Sequence, residues 1–246
     1  MTTYPFTGWL AMVGVAVAGC GGDDDASAEQ LYEVRPVEDP PWAVTITAAD
    51  FVAGVDNPFL PLPVGSTRRY EREDGREVIE IEVLAETREV WGVQATVVRD
   101  TVFADEELVE DTWDWFAQDV HGNVWYLGEE TCEYVAGECV DMHGAWEAGE
   151  GGAIPGVVML ADPQVGDAYY QEYLADEAED YGEVVALDGS ADVPAGSFDG
   201  CVRTRDTTPL EPDIEEFKLY CPGVGVVLEE EENTRVELAE YDGLDG

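Results

Sequence analysis

Apolar and polar residues alternate with a period of two along much of the chain after residue 42. Ile79, Ile81 and Val83 alternate with Glu80 and Glu82. Such alternation is typical of antiparallel strands with one face on a core and the other in water. An apolar spacing of three and four residues extends over no more than a turn or two, around residues 47–52. The pattern therefore predicts an all-β, antiparallel fold with about twelve to fifteen strands.

A second segment shows the same alternation, with a lysine and a tyrosine between its apolar residues in place of glutamates. Phe217, Leu219 and Cys221 alternate with Lys218 and Tyr220, which predicts that the first three face the core. Turn-forming dipeptides separate the alternating runs, at residues 74–75, 122–123, 188–189 and 199–200. The acidic residues of these runs are thus expected on the solvent-facing side of the sheet.

Two parts of the chain resemble each other. Residues 122–130 align with 223–231, and Val64-Gly65 and Val165-Gly166 each precede a strand that contains tyrosine. Arg99-Asp100-Thr101 matches Arg205-Asp206-Thr207, with compensating loop insertions. These matches predict two tandem repeats of about 70 residues, at about 58–130 and 160–231, that form one curved sheet, half-barrel or barrel-like domain. Chance similarity between two acidic, alternating segments is the alternative.

The amino terminus has the pattern of a lipoprotein signal. Residues 9–18 are apolar or small, and Val17-Ala18-Gly19-Cys20 resembles a bacterial lipobox. The apolar run has the length of a secretory signal, about 7–15 residues, and is too short to span a membrane. We therefore predict a signal peptide at 1–19, a lipid on Cys20, an acidic tether at 20–41, a β domain at 42–242 and a tail at 243–246. The basic residues that usually begin such a signal are missing, so the start codon could lie upstream.

A lipid on Cys20 would place the mature chain outside the cytoplasm, where disulfides persist, so the four further cysteines are expected to form disulfides. Cys132 and Cys139 flank a hairpin-sized stretch, and so do Cys201 and Cys221. This spacing favours the two local disulfides among the three possible pairings. A zinc site made of the four cysteines is the alternative, although no CxxC pair is present.

Charge excludes some partners. The 246 residues include 56 Asp and Glu against 11 Lys and Arg, for a formal net charge of -45. Nucleic acid is therefore excluded as a partner, because phosphate backbones are bound by clustered basic residues. Attachment to a membrane is expected through the lipid of Cys20 alone. Self-repulsion of this size predicts a thermal midpoint that rises with added salt or calcium.

The two histidines are the weak candidates for a metal site. Asp119-Val-His121-Gly122 and Asp141-Met-His143-Gly144 are similar turns, and two imidazoles with two carboxylates are a sensible ligand set. Surface turns without metal are the simpler interpretation, so no metal and no cofactor is assigned, with weak calcium binding by the acidic clusters left open.

No catalytic constellation is recognisable. None of the four serines lies in a Gly-x-Ser-x-Gly motif, and no pair of carboxylates can be selected for glycoside hydrolysis. Trp113 and Trp115 would share one strand face, which suits either a sugar ring or ordinary packing. The sequence thus predicts a protein that is not an enzyme.

Several segments together resemble a family of secreted and lipoprotein-type bacterial proteins that has no established activity. The resembling segments are 55–65 (VDNPFLPLPVG), 123–129 (NVWYLGE), 146–149 (WEAG), 155–159 (PGVVM), 165–173 (VGDAYYQEY), 193–199 (VPAGSFD), 208–212 (TPLEP) and 223–226 (GVGV). The resemblance covers roughly residues 43–232 and implies a β-rich envelope protein without implying any catalytic residue.

These observations predict a lipid-anchored protein of the bacterial cell envelope that faces the periplasm or the exterior. Its β domain is expected to bind an apolar small molecule or a protein partner, through residues that the sequence does not identify. The alternative is an acidic structural or surface protein that binds calcium weakly or is adapted to salt.

Overall fold

The computed structural model describes residues 46–232 and 234–244. After one turn of 3₁₀ helix at Ala48–Asp50, the chain forms strands that carry nearly all of its regular structure. The strands are β1 (Phe51–Val52), β2 (Thr67–Arg72), β3 (Glu77–Val90), β4 (Val93–Ala104), β5 (Glu107–Asp119), β6 (Val124–Val135), β7 (Glu138–Asp141), β8 (Trp146–Glu147), β9 (Ile154–Met159), β10 (Ala168–Tyr170), β11 (Glu172–Tyr173), β12 (Tyr181–Val193), β13 (Gly196–Thr207), β14 (Glu215–Cys221), β15 (Gly225–Glu231) and β16 (Thr234–Asp242).

All strand pairs are antiparallel, and the sheet curves into a nearly closed barrel. The strand order around it is β10-β12-β13-β14-β15-β16-β2-β3-β4-β5-β6-β9-β11. The predicted all-β, antiparallel fold is therefore confirmed. The described residues contain sixteen strands, more than predicted, because several of them are only two to four residues long.

The first and last strands of this order, β10 and β11, adjoin each other at one residue. β10 and β11 are consecutive in the chain and are separated only by Gln171. Gly156 of β9 lies against this junction so closely that an added Cβ atom would be 2.3 Å from the carbonyl carbon of Gln171 and 2.4 Å from the carbonyl oxygen of Tyr170. Glycine at position 156 thus permits the close backbone contact that brings the edges of the sheet together.

Residues 53–66, which we call the plug segment, lie across one end of the barrel. Asn57 is buried, and its side-chain amide donates to the carbonyls of Gly122 and Leu160 at 2.9 and 3.1 Å. The carbonyl of Pro58 accepts a hydrogen bond from the N–H of Gly223 at 2.7 Å. These contacts join the plug segment to the β5–β6 turn, the end of β9 and the β14–β15 turn. Leu60 and Leu62 of the plug segment are buried.

The two Val-Gly pairs of the predicted repeat make matching contacts. The N–H of Gly65 donates to the carbonyl of Val83, and the N–H of Gly166 donates to the carbonyl of Val184, each at 2.8 Å. This local correspondence agrees with the sequence comparison, while the repeat as a whole stays a prediction.

Both disulfides join the pairs that their spacing favours. Cys132 is bonded to Cys139 across the β6–β7 hairpin, and Cys201 of β13 is bonded to Cys221 of β14. The closed loops of 7 and 20 residues restrict the unfolded chain.

The predicted signal peptide, Cys20 and the tether lie outside the described residues. Within residues 46–232 and 234–244, no helix has the length and apolar character needed to cross a membrane.

Gly156→Ala is expected to lower the free energy of unfolding by about 2–3 kcal/mol, because the new methyl group overlaps backbone atoms that cannot move independently of the sheet. Urea denaturation measures the change. Gly137→Asn is a control, because Gly137 lies in open space with φ of 79°, a conformation that Asn tolerates. Equal stability of Gly156→Ala and the unmodified protein would contradict this account of sheet closure.

Candidate functional site: an acidic barrel interior

The inner face of the barrel carries an unusual number of carboxylates. Residues directly opposite one another on antiparallel strands share a face. Asp100 lies opposite Ile81 and Thr112, and Asp114 lies opposite Val98 and Glu129, so all of these side chains face inward. Together with neighbours that are equally buried, they form what we call the inner carboxylate cluster: Asp100, Glu110, Asp114, Glu129, Glu172, Asp180, Asp206 and Glu229.

The expectation that the strand acids face solvent is therefore only partly correct. Glu80 and Glu82 are exposed as predicted, and Ile79, Ile81 and Val83 face the core. Lys218 reverses the prediction for its strand, since it is 4% exposed and lies opposite Thr204 and Glu229 on the inner face. Alternation predicts which residues share a face, but it does not reveal which face is inside when both contain apolar residues.

The cluster lies toward the end of the barrel opposite the plug segment. Along β5, the inward residues change from Glu110 and Thr112 near the β4–β5 turn to Phe116 near the plugged end. Phe116 stacks on Tyr126 with ring centroids 4.9 Å apart. Glu110 and Asp114 are four residues apart on one strand, which separates them by about 13 Å. Along β5, the inner face is thus apolar near the plugged end and acidic toward the other end.

Asp100 is the least compensated member of the cluster. Its side chain is 2% exposed, and neither carboxylate oxygen has a hydrogen-bond partner. Burial raises the pKa of Asp100 well above its ordinary value, and repulsion from Asp114 and Glu110 raises it further. Burial thus favours the neutral form of Asp100 unless a cation lies beside it.

The pKa values of neighbouring carboxyl groups are raised as well. Burial raises the pKa of Glu110, Asp114 and Asp180 to about 7 and that of Glu229 to about 8. Burial also raises the pKa of Glu129 and Glu172 well above the usual range.

The hydrogen-bond geometry at Tyr126 also indicates that the inner carboxylate cluster holds protons. The Tyr126 hydroxyl lies 2.7 Å from Oδ1 of Asp114 and 3.0 Å from Oε2 of Glu129. One phenol has a single proton and can donate it to only one carboxylate. The other contact requires a protonated carboxyl group that donates to the phenol oxygen. Asp114 and Glu129 together therefore hold a proton in this arrangement.

Lys218 compensates the other side of the barrel. Its ammonium group lies 3.0 Å from Oε2 of Glu216 and 3.4 Å from Oδ2 of Asp206. Burial alone would lower the pKa of Lys218, but the attraction of Glu216 and Asp206 raises it well above its ordinary value. Lys218 is thus a charged group inside the barrel, held by carboxylates.

The remaining inward carboxylates need a further source of neutralisation. A pKa raised by three units corresponds to about 4 kcal/mol of preference for the neutral form. The raised pKa values of Glu110, Asp114, Asp180 and Glu229 thus mean that the folded interior favours a proton or a nearby cation at these carboxylates.

The first predicted metal-site turn has a structural role. Asp119 is buried and accepts four hydrogen bonds, from the N–H groups of His121 and Asn123, the Asn123 amide and the Trp125 indole, at 2.8–3.0 Å. Its oxygens are fully used in shaping the β5–β6 turn.

The second predicted turn lies elsewhere. Asp141 accepts a hydrogen bond from the N–H of His143 at 3.0 Å, and Nδ1 of His143 lies 2.9 Å from Glu177. β7 pairs with the end of β6 remote from His121, at least about 20 Å away along the strand. The structure does not bring the two histidines together, and the described ranges contain no group of three or more His, Cys, Asp and Glu side chains placed to hold a metal ion.

The tryptophan pair lies on the outer face of the barrel. Trp113 and Trp115 line an open groove of about 480 Å³. The guanidinium carbon of Arg88 lies 3.8 Å from the centre of the Trp115 ring, and that of Arg99 lies 5.2 Å from the Trp113 ring. Because Trp115 is also only 3% exposed, cation–π packing accounts for these rings.

Comparisons with known proteins add little. No family model and no curated protein matches the chain. Among solved structures, a candidate lipoprotein of Parabacteroides distasonis ATCC 8503 is similar, with 13% identity, a TM-score of 0.42, and coverage of 75% of this chain and 98% of that one. A likeness of this degree says nothing about the function of the chain.

The stability of the protein is expected to fall as pH rises from about 5 to about 8. The folded cluster keeps protons up to pH 7–8, whereas unfolded carboxyls lose theirs near pH 4, so the folded state binds more protons in this interval and loses stability as they are removed. Urea denaturation at constant ionic strength measures the slope. Asp114→Asn should reduce the slope, and Glu86→Gln, on the exposed surface, should leave it unchanged. A stability that is constant or rises over this range would contradict the assignment.

Two isosteric variants at corresponding positions should have opposite effects at pH 9. Asp100→Asn removes an uncompensated buried charge and should raise the free energy of unfolding, whereas Asp206→Asn removes a partner of Lys218 and should lower it by about 2 kcal/mol. Urea denaturation of both variants tests the pair. Equal losses of stability in the two variants would contradict the absence of a charge partner for Asp100.

Proposed function

We propose that the chain is a lipid-anchored, non-enzymatic protein of the bacterial cell envelope whose barrel binds cations at the inner carboxylate cluster. The lipid on Cys20 holds the domain at the membrane surface, and the residues after it act as a tether. The domain then faces the periplasm or the exterior.

Sequence supports the anchor. Val17-Ala18-Gly19-Cys20 ends an apolar run of secretory length, and a polar segment rich in glycine and aspartate follows it. The two disulfides support the same compartment, because they persist in oxidising surroundings.

One observation carries the binding function. The carboxylate of Asp100 is buried without a hydrogen-bond partner in an interior that is lined by further carboxylates. A buried, unpaired carboxylate is strongly unfavourable in a folded protein, and an apolar side chain of similar volume would make the fold more stable here. A cation taken up from outside relieves this unfavourable arrangement.

The proposal changes the ligand class expected from sequence. An apolar ligand would meet carboxylates at the unplugged end of the barrel, where it could satisfy none of them. Weak calcium binding by the exposed acids is a separate possibility, which this proposal does not require.

Replacing Cys20 with alanine should release the full-length protein from the membrane fraction of its native host, because no other lipid attachment is proposed. Immunoblotting of the membrane and soluble fractions measures the distribution, and metabolic labelling with a radioactive fatty acid measures the modification. Gly22→Ala is the matched control and should stay membrane-bound and labelled. Membrane retention of Cys20→Ala would refute the anchor.

A further inference from the structure

Two strand triplets of the barrel present inward carboxylates at corresponding positions. The first triplet is β4–β5–β6, and the second is β13–β14–β15. Asp100 in the first triplet lies opposite Thr112, and Asp206 in the second lies opposite Glu216. Two residues further along each middle strand, Asp114 lies opposite Glu129 and Lys218 lies opposite Glu229.

The second triplet thus contains its own cation. The Lys218 ammonium lies within 3.4 Å of carboxylate oxygens of Glu216 and Asp206. The triplet shows how a primary ammonium group is accommodated inside this barrel, with carboxylates from neighbouring strands around it.

The first triplet has an acid where the second has a lysine. Asp114 occupies the register position of Lys218, beside Asp100 and Glu129. Both oxygens of Asp100 and Oδ2 of Asp114 lack hydrogen-bond partners. The oxygens of Asp206 lack them as well, but Oδ2 of Asp206 lies 3.4 Å from the Lys218 ammonium. Of the cationic side chains that face inward from β2, Arg72 pairs with Glu77 at 3.6 Å, and Arg68 donates through Nε and Nη2 to the carbonyls of Val224 and Pro61, while its Nη1 has no hydrogen-bond partner.

We propose that the first triplet binds the primary ammonium group of a small organic amine through Asp100, Asp114 and Glu129, in the manner in which the second triplet holds Lys218. Ile81 and Val98, which lie opposite Asp100 and Asp114, contact the alkyl stem. This inference deepens the proposed function and rests on it, because it assumes that the barrel interior takes up cations.

An ammonium group fits this site better than a metal ion. Residues 46–232 and 234–244 show no set of acidic side chains that converge as metal ligands do. An ammonium group instead presents three N–H donors in different directions, and it needs carboxylates spread around it. The Asp100 oxygens are buried, so side chains must move during binding and association should be slow.

Titration of the full-length, detergent-solubilised protein with n-butylammonium chloride tests the proposal. Isothermal titration calorimetry should show saturable binding of one equivalent, and the thermal midpoint should rise. Tetramethylammonium, which has no N–H donor, should bind at least about tenfold more weakly, because hydrogen bonds to charged groups contribute about 1.5–3 kcal/mol each.

The matched variants distinguish the first triplet from the second. Asp100→Asn, which keeps the shape of the side chain, should weaken butylammonium binding by about tenfold or more. Asp206→Asn removes a carboxylate at the corresponding position of the second triplet and should leave the affinity within about threefold of the unmodified protein, since it does not contact the ligand.

Three results would overturn the proposal. They are an absence of butylammonium binding, equal binding by Asp100→Asn, and equal binding of tetramethylammonium. A parallel titration with sodium, potassium, magnesium and calcium chlorides separates this failure from that of the proposed function. If one of these ions stabilises the protein and Asp100→Asn abolishes that stabilisation, the amine proposal is refuted and the proposed cation-binding interior stands. If none of the ions stabilises the protein and butylammonium does not bind, both proposals are refuted.

Discussion

The burial of many carboxylates inside one barrel is the constraint on which the rest of the structure depends. A sheet that closes on itself removes its inner face from water, so every inward side chain must be apolar, paired or neutral. Lys218 satisfies this requirement on one side by pairing with Glu216 and Asp206. On the other side, the Tyr126 hydroxyl forms hydrogen bonds with both Asp114 and Glu129, and these two carboxyl groups hold a proton between them. Asp100 has a partner of neither kind, and this difference is the basis of the cation site proposed above.

Closure of the barrel creates the acidic interior, and a few small features make closure possible. Gly156 lets β9 approach the junction at Gln171, where a side chain would collide with the backbone. At one end, the plug segment ties three turns together through Asn57 and Pro58 and covers the apolar part of the interior. Each disulfide joins two neighbouring strands of the barrel. Stability from these features offsets the unfavourable burial of charge at the opposite end.

Much of the fold can be predicted from sequence, because period-two alternation and turn residues are local signals. Alternation at Ile79, Ile81 and Val83 correctly identifies the inner face of β3. The same rule fails for β14, where Lys218 faces inward and Leu219, on the other face, is also buried. The site could not be predicted from acidic content alone, since Glu80 and Asp100 are both acidic residues but lie on opposite faces of the sheet. Their difference depends on strand register, and register depends on long-range pairing. The match between Arg99-Asp100-Thr101 and Arg205-Asp206-Thr207 was the one available signal, because it aligns two inward aspartates.

The net charge of -45 therefore has two physically different parts. Exposed acids such as Glu80 and Glu82 interact with water and salt, and their mutual repulsion is screened over about 8–10 Å at physiological ionic strength. Inward acids are shielded from that screening, so only a proton or a cation at short range can neutralise them. In the proposed function, protons and organic cations compete for the same oxygens, so that a rise in external pH favours cation binding over protonation. If the domain lies outside the cytoplasm as proposed, the occupancy of the interior follows the composition of the medium.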